Sequence, residues 1–414
     1  MTMNKLKISS IPLAMLLVVL FNNTTSVAQG FSERKTAMPQ QKLAKKTSQG
    51  DCEQIDIRCA KTATLAVAPN GDLWRLWSQN QHMYFQVSDN DGQHFNPAQQ
   101  VNIPAEKISA RNENRPKIAF DKAQNVYLSW AMPREKKYTA DIRFSYSSDY
   151  GKTFSQPITV NNDNLLTGHS FNELMVTDEG EISIVWLDGR LRGKDKSNNG
   201  SAIFLGNGQL ANGAINFSNQ ALANGTCVCC RLATDYDTQG NLSVLWRHIY
   251  GDNIREFALL TPSKQKEPYQ VSYDHWKING CPHQGGGLSI DDKNRYHLVW
   301  FNIGDKGKGI FYASSDNAGK TLTTPLSVGD FTAQAAHPHV SVYQNQVDIV
   351  WTQYTGSEHE LWYQVSYDRG KSFKPAKIIA TSTHGSDRPF IVKRNNKRFI
   401  SWHRNQQGHW LNKL

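Results

Sequence analysis

Seven tryptophans close seven hairpins of the same kind. TLAVAPNGDLWRLW ends at Trp77, KIAFDKAQNVYLSW at Trp130, LMVTDEGEISIVW at Trp186 and LATDYDTQGNLSVLW at Trp246. LSIDDKNRYHLVW, VSVYQNQVDIVW and FIVKRNNKRFISW follow, ending at Trp300, Trp351 and Trp402, so successive tryptophans lie 53, 56, 60, 54, 51 and 51 residues apart. Apolar residues alternate with period two on both sides of a turn, which predicts two antiparallel strands. Six residues before the tryptophan stands Gly71, Gly180, Gly240, Asn294, Asn345 or Asn396, with Gln124 the exception. Glycine and asparagine tolerate the positive φ of tight hairpin turns. A repeat of about fifty residues built from short strands predicts one blade of a β-propeller. The expected fold class is therefore all-β, a propeller of four-stranded blades, seven by hairpin count and six as the alternative.

A second motif runs in register with the first. SDNDGQHF begins at Ser88, SSDYGKTF at Ser147, SDNAGKTL at Ser315 and SYDRGKSF at Ser366, each fitting Ser-x-(Asp/Asn)-x-Gly-x-x-(Phe/Leu). On these four copies, residues 61–414 resemble the sialidase superfamily, whose propellers carry such Asp-boxes, or BNR repeats, at the turn joining the third and fourth strands of a blade. The resemblance implies fold more directly than activity, because Asp-box propellers include binding proteins as well as enzymes. Sialidase enzymes have six blades, whereas seven hairpins are present here. After Trp402 only HRNQQGHWLNKL remains, enough for a third strand. Residues 51–60 are thus expected to complete the last blade and close the ring.

The beginning of the chain reads as an export signal. Lys5 and Lys7 precede an apolar run from Ile11 to Phe21, and Ser26 and Ala28 offer small residues for cleavage, the pattern of a secretory signal peptide over 1–28. A polar, aperiodic leader follows over 29–50, and 51–414 is expected to be a single propeller domain. The apolar run is too short to span a bilayer, and no later stretch approaches the roughly eighteen apolar residues of a membrane span. The expected location is periplasmic or secreted. Seven Lys or Arg and one Glu in residues 1–50 account for +6 of the chain's +10. The remaining +4 argues against a nucleic-acid partner and mildly for an anionic ligand. A monomer is expected.

The six cysteines belong, in an oxidising compartment, first to disulfides. Three of them crowd into CVCC as Cys227, Cys229 and Cys230. Counting back from the tryptophans sets CVCC, and the Cys281 and His283 of GCPHQGGG, at equivalent places before the first strands of adjacent blades; Cys59 holds that place in the first. Two readings stay open. Cys229 or Cys230 bridges Cys281, with Cys52 paired to Cys59 or Cys227; or Cys229, Cys230, Cys281 and His283, with Cys227 and Cys59 in reach, bind copper or zinc as soft thiolate and imidazole ligands.

Arginines gather at the same loops. Arg115, Arg231 and Arg388 stand before first strands, and Arg190 in WLDGR and Arg247 in WRH follow second strands. A guanidinium fork matches a carboxylate bidentately. The resemblance implies a three-arginine clamp, with a tyrosine nucleophile activated by a glutamate and an aspartate as acid/base, a variant of two-carboxylate glycoside chemistry. Arg115, Arg231 and Arg388 are the clamp candidates, Arg190 and Arg247 further substrate ligands, and Glu113, Glu173 and Asp188 the catalytic candidates. The chain departs from the family at KTATLAV, which lacks its Arg-Ile-Pro motif, and over Asp387 to Leu414, which holds no tyrosine. The leading expectation is an exported sialidase-like propeller that binds or hydrolyses an anionic glycan, or another acidic small molecule, in an arginine-lined funnel. A periplasmic metal or redox protein using the Cys/His cluster, and a non-catalytic protein-interaction propeller, are the alternatives.

Overall fold

The computed structural model describes residues 52–193, 200–211 and 213–414; the expected signal peptide and leader lie outside them. Each repeat tryptophan falls in the second strand of an antiparallel group, from Leu73–Gln79 for Trp77 to Lys397–Arg404 for Trp402. All seven indoles are buried to 1 % exposure or less. Most also satisfy the indole N–H from nearby: Trp186 donates to Asp188 Oδ2 at 2.8 Å, Trp351 to Gln353 Oε1 at 3.0 Å and Trp300 to Asp274 Oδ2 at 3.2 Å. A large ring that is apolar on its faces and satisfied at its one polar atom can sit in a dry core at little cost.

The architecture is all-β and consistent with a β-propeller. Four sheets have four strands each, running in simple sequence order. The third and fourth hairpins share a nine-stranded sheet, joined through the single pair Thr226–His248. The last sheet has three strands, Phe390–Arg394, Lys397–Arg404 and Gly408–Lys413. The first strands of successive groups neighbour one another in order: Thr64–Val67, Lys117–Phe120, His169–Val176, Ala233–Tyr236, Gly287–Ile290, Ala336–Tyr343 and Phe390–Arg394. Phe390–Arg394 in turn meets Thr64–Val67.

The hairpin turns follow the sequence pattern with one shift. Gly71, Gly180, Gly240 and Asn294 adopt positive φ, and so does Gln124, at 67°. In the last two hairpins the left-handed residue is Gln344 or Asn395, one position before the asparagine expected there, because these turns are two residues long, between Tyr343 and Gln346 and between Arg394 and Lys397.

Each Ser-x-(Asp/Asn)-x-Gly motif folds as a closed turn directly after a third strand. In the second group Gly151 N donates to Ser147 Oγ at 2.8 Å and Thr153 N to Asp149 Oδ1 at 2.8 Å. The same two bonds recur from Gly92 and His94, from Gly319 and Thr321, and from Gly370 and Ser372. The four glycines have φ between 80° and 88°, and each faces the preceding group. A Cβ on Gly151 would lie 2.6 Å from Trp74, one on Gly319 2.5 Å from Leu259, and one on Gly370 would overlap the Tyr312 hydroxyl. Gly92 faces Leu411 of the last group at 3.0 Å. Glycine is therefore required twice over, by backbone conformation and by space.

Residues 52–60 do not supply the fourth strand expected of them. They form a turn closed by a Cys52–Cys59 disulfide, with a short 3-10 helix, Ile57–Cys59. Six residues between the cysteines leave no room for an extended strand. The turn instead bridges the first and last groups. Gln79 donates to Cys52 O and Gln54 O, while Gln406 N donates to Arg58 O and His403 Nε2 lies 2.8 Å from Ala60 O. Among the described residues no helix is long and apolar enough to cross a membrane. A disulfide here is compatible with export to an oxidising compartment.

Candidate functional site

Loops before the first strands and after the second strands of the first five groups surround a cleft of about 1150 Å³. Seven cations line it: Lys61, Lys107, Arg111, Arg134, Lys136, Lys137 and Arg192. No described aspartate or glutamate does. Arg134 is paired, to Asp141 at 2.8 Å; the other six are exposed and form no ion pair with a described residue. Tyr138 stands at the rim, 85 % exposed, held at a φ of 64° with Lys137 Nζ 4.8 Å from its ring centre. A concave surface carrying one sign of charge focuses its field on the space it encloses.

The arginines expected as substrate ligands lie elsewhere or are already engaged. Arg115 donates to Ala63 O and Arg388 O, each at 3.0 Å, and to Asp387 Oδ2 at 2.9 Å. Arg231 holds Gly286 O and Pro338 O and pairs with Glu113 at 3.2 Å. Arg247 is fully buried and donates to Gln284 O, Phe301 O and Asn302 Oδ1. Arg190 pairs with Asp188 and Asp163. Arg388 is 7 % exposed with an unpartnered Nε, and burial lowers its pKa to about 10.

The catalytic candidates are divided between two places. Glu113 and Glu173 share a separate space of about 270 Å³ with Arg115, Lys117, Arg231 and His339. Glu173 is paired to Lys117 at 2.7 Å. Burial, followed by the charges of nearby arginines, pushes His337 and His339 well below the ordinary imidazole value, so both are neutral there. Asp188 is fully buried against the Trp186 indole and Arg190. It also approaches His169 Nε2 at 3.4 Å, beside Asp163 at 3.1 Å, but Arg190 already supplies the cation that this group could otherwise recruit.

The three thiols of CVCC come together. Cys227 Sγ lies 3.7 Å from Cys229 Sγ and 3.5 Å from Cys230 Sγ, all three buried. Cys281 lies outside this close set and lines the cleft wall with Cys229. Hydrogen bonds from the Cys229 and Cys230 thiols pull Cys227 well below the usual thiol value, and the same contact raises Cys229. Cys229, Cys281 and His283 face the wide cleft. Cys59 does not belong to the cluster, because its sulfur is bonded to Cys52.

No family profile and no curated protein matches this chain. Solved structures do. The BP39L lectin from Burkholderia pseudomallei aligns with a TM-score of 0.60 at 10% identity, covering 87% of this chain and 96% of the lectin. A PL25 polysaccharide lyase described as an ulvan lyase gives 0.50 at 10% identity, with the same coverages, 87% and 96%. The Hadza microbial sialidase Hz136 gives 0.49 at 10% identity, over 83% and 77%. The likeness is one of fold. These neighbours are sialidase-like and related β-propeller, glycan-active proteins.

Sequence reasoning missed the residues that dominate the cleft. Lys136, Lys137 and Tyr138 lie in the REKKY stretch before the third strand of the second group, a charge run of the sort that usually marks a solvated face. Only their convergence with Lys61, Lys107 and Arg111 from other loops makes them a surface, and convergence has no local pattern.

Proposed function

We propose that this protein is an exported seven-bladed β-propeller that binds an acidic glycan in the cationic cleft. The observation that carries the reading is the charge of the lining, seven cations with no described carboxylate among them. An acidic polysaccharide would lay carboxylate or sulfate groups against Lys61, Lys107, Arg111, Lys136, Lys137 and Arg192, with the exposed face of Tyr138 available to a sugar ring. The seven blades are supported by the cyclic adjacency of the first strands and by Gly92 meeting the last group as the other Asp-box glycines meet their predecessors. The lectin and lyase neighbours are in keeping with a glycan ligand.

Binding is favoured over hydrolysis. Hydrolysis by the common route needs two carboxyl groups flanking the scissile bond, about 5–9.5 Å apart. The described lining offers none, and Glu113 and Glu173 are tied to cations in the other space.

Calorimetry with a uronate or sulfated polysaccharide, against a neutral one of similar length, tests the reading. Binding is expected to the acidic polymer alone. A Lys136→Glu, Lys137→Glu variant should lose about tenfold or more in affinity, each reversal being worth about 1 kcal/mol. Equal binding of the neutral polymer would defeat the charge argument, and release of shorter fragments from the acidic one would replace binding with processing.

A further inference from the structure

The thiol cluster is unused by glycan binding, and four features of it point one way. Its donors come from two sequence segments. Cys227, Cys229 and Cys230 occupy the turn after the strand Ser218–Thr226, and Cys281 lies in the loop before Gly287–Ile290. The spacing of three of them suits a shared ion: the sulfur atoms of CVCC all lie within 4.8 Å of one another, two pairs at 3.5 and 3.7 Å, and Cys281 stands outside that set, lining the same cleft as Cys229. Metal–thiolate bonds of about 2.3 Å, arranged tetrahedrally, set sulfurs about 3.8 Å apart. The donor set is also uniform. No carboxylate or amide belongs to it, which excludes the hard cations that want oxygen.

The fourth feature is charge and access together. Four thiolates around a monovalent or divalent ion leave surplus negative charge, and arginines stand close by: Cys227 N donates to Arg247 O at 2.9 Å, and Arg192 lines the cleft with Cys229 and Cys281. Cys227 and Cys230 are each 1 % exposed, whereas Cys281 is exposed and, with Cys229, forms part of the cleft wall. The cluster is thus closed beneath and open toward solvent, so an ion could enter and leave without unfolding.

We propose that Cys227, Cys229, Cys230 and Cys281 form a tetrathiolate site for one soft d10 cation, Cu(I) or Zn(II), set in the wall of the cleft. Binding releases the thiol protons to solvent and changes no oxidation state. The competing chemistry is oxidation to two disulfides, Cys227–Cys230 and Cys229–Cys281, and it would consume the same four sulfurs.

The test uses full-length protein exported to the periplasm of a producing cell and purified anaerobically without reductant. Denatured protein should titrate four thiols, with Cys52–Cys59 as the bridge found by peptide mapping. Dialysis against Zn(II) alone or Cu(I) alone, followed by elemental analysis, should leave about one ion per chain of the metal the site takes. A Cys281→Ser variant should retain the wild-type fold, because the residue is exposed, and weaken that ion by at least about 100-fold, since even outer-sphere partners of a metal are worth about 10–100-fold. Cys227→Ser, checked for folding by tryptophan fluorescence, should abolish retention. Mapping that links CVCC to itself or to Cys281 in the purified protein overturns the proposal. So do four free thiols that retain neither metal, or a Cys281→Ser variant that binds as tightly as wild type. None of these readouts involves Lys136 or Lys137, so this site and the glycan reading stand or fall separately.

Discussion

Arg115 Nη1 lies 2.9 Å from Asp387 Oδ2, joining the loop before the second hairpin to the loop before the seventh, 272 residues away. Both side chains are buried, at 5 % and 0 % exposure. Asp387 also accepts from His403 N at 2.8 Å and Ala63 N at 3.3 Å. An arginine expected to grip a substrate carboxylate thus already holds one supplied by the protein.

Asp387→Ala should lower unfolding free energy by about 3–5 kcal/mol, the usual cost of leaving a buried partner charge uncompensated. Asp387→Asn should cost less, because it keeps an acceptor for the two N–H groups. Urea unfolding followed by tryptophan fluorescence separates the two; equal and negligible effects would mean that the pair is not holding these loops.

The same carboxyl gives a pH signature. Burial raises its pKa, Arg115 and the N–H donors lower it, and burial prevails, leaving it at about 6. The unfolded value is about 3.9. The folded state therefore holds the proton more tightly. Its contribution is complete below about pH 4 and is lost as pH rises through about 6, a change of up to about 3 kcal/mol by linkage. The stability difference between wild type and Asp387→Asn should shift toward the variant over that window. No shift between pH 4 and 7 would place the Asp387 carboxyl at an ordinary value.

Arg231→Ala should destabilise by about 3 kcal/mol or more and leave affinity for an acidic polysaccharide within about twofold, since its donors go to Gly286 O, Pro338 O and Glu113 and their loss leaves a buried carboxylate without its cation. Calorimetry on the folded variant decides. A large loss of affinity at unchanged stability would restore this arginine to the ligand site.

Gly370→Ala should cost about 2–5 kcal/mol, combining a left-handed backbone worth about 1–2 with overpacking worth about 1–3. The new methyl would overlap the buried Tyr312 hydroxyl. Gly240→Ala is the control, at a similar φ of 78° but with nothing near its Cβ, and should cost only the backbone share. Equal melting temperatures for the two would remove the packing part of the account.

Raising salt from 50 to 500 mM should weaken acidic-polysaccharide binding by an order of magnitude or more, because the cleft cations are exposed and the screening length falls below about 10 Å above 0.1 M. Salt-independent binding would point away from these side chains.

How much of this could be read in advance depended on where the information resides. Trp77 and its six counterparts, Gly71 and the motif from Ser147 to Phe154 carry their structural reasons within a few residues, so hairpins and turns were legible. The placing of Cys229 and Cys281 on one cleft follows repeat register too, because register converts sequence position into spatial position. The partners of Arg231 and Arg247 were not legible, for the opposite reason. Most of their acceptors are backbone carbonyls of other groups, and a carbonyl has no side-chain letter to betray it. The cleft failed similarly: Lys61, Lys107 and Lys136 are unremarkable one at a time.

The seams at the Ser-x-(Asp/Asn)-x-Gly turns have a further consequence. Gly92, Gly151, Gly319 and Gly370 all look backward to the preceding group, and none of these contacts refers to how many groups there are. Copy number is then an angular property, the sum of small rotations at each seam, and no single residue encodes it. A lineage could gain or drop a whole blade by duplication or deletion while every local joint stayed satisfied. Related propellers can therefore keep their turns unchanged while differing in circumference, and with it in the width of the mouth available to a ligand.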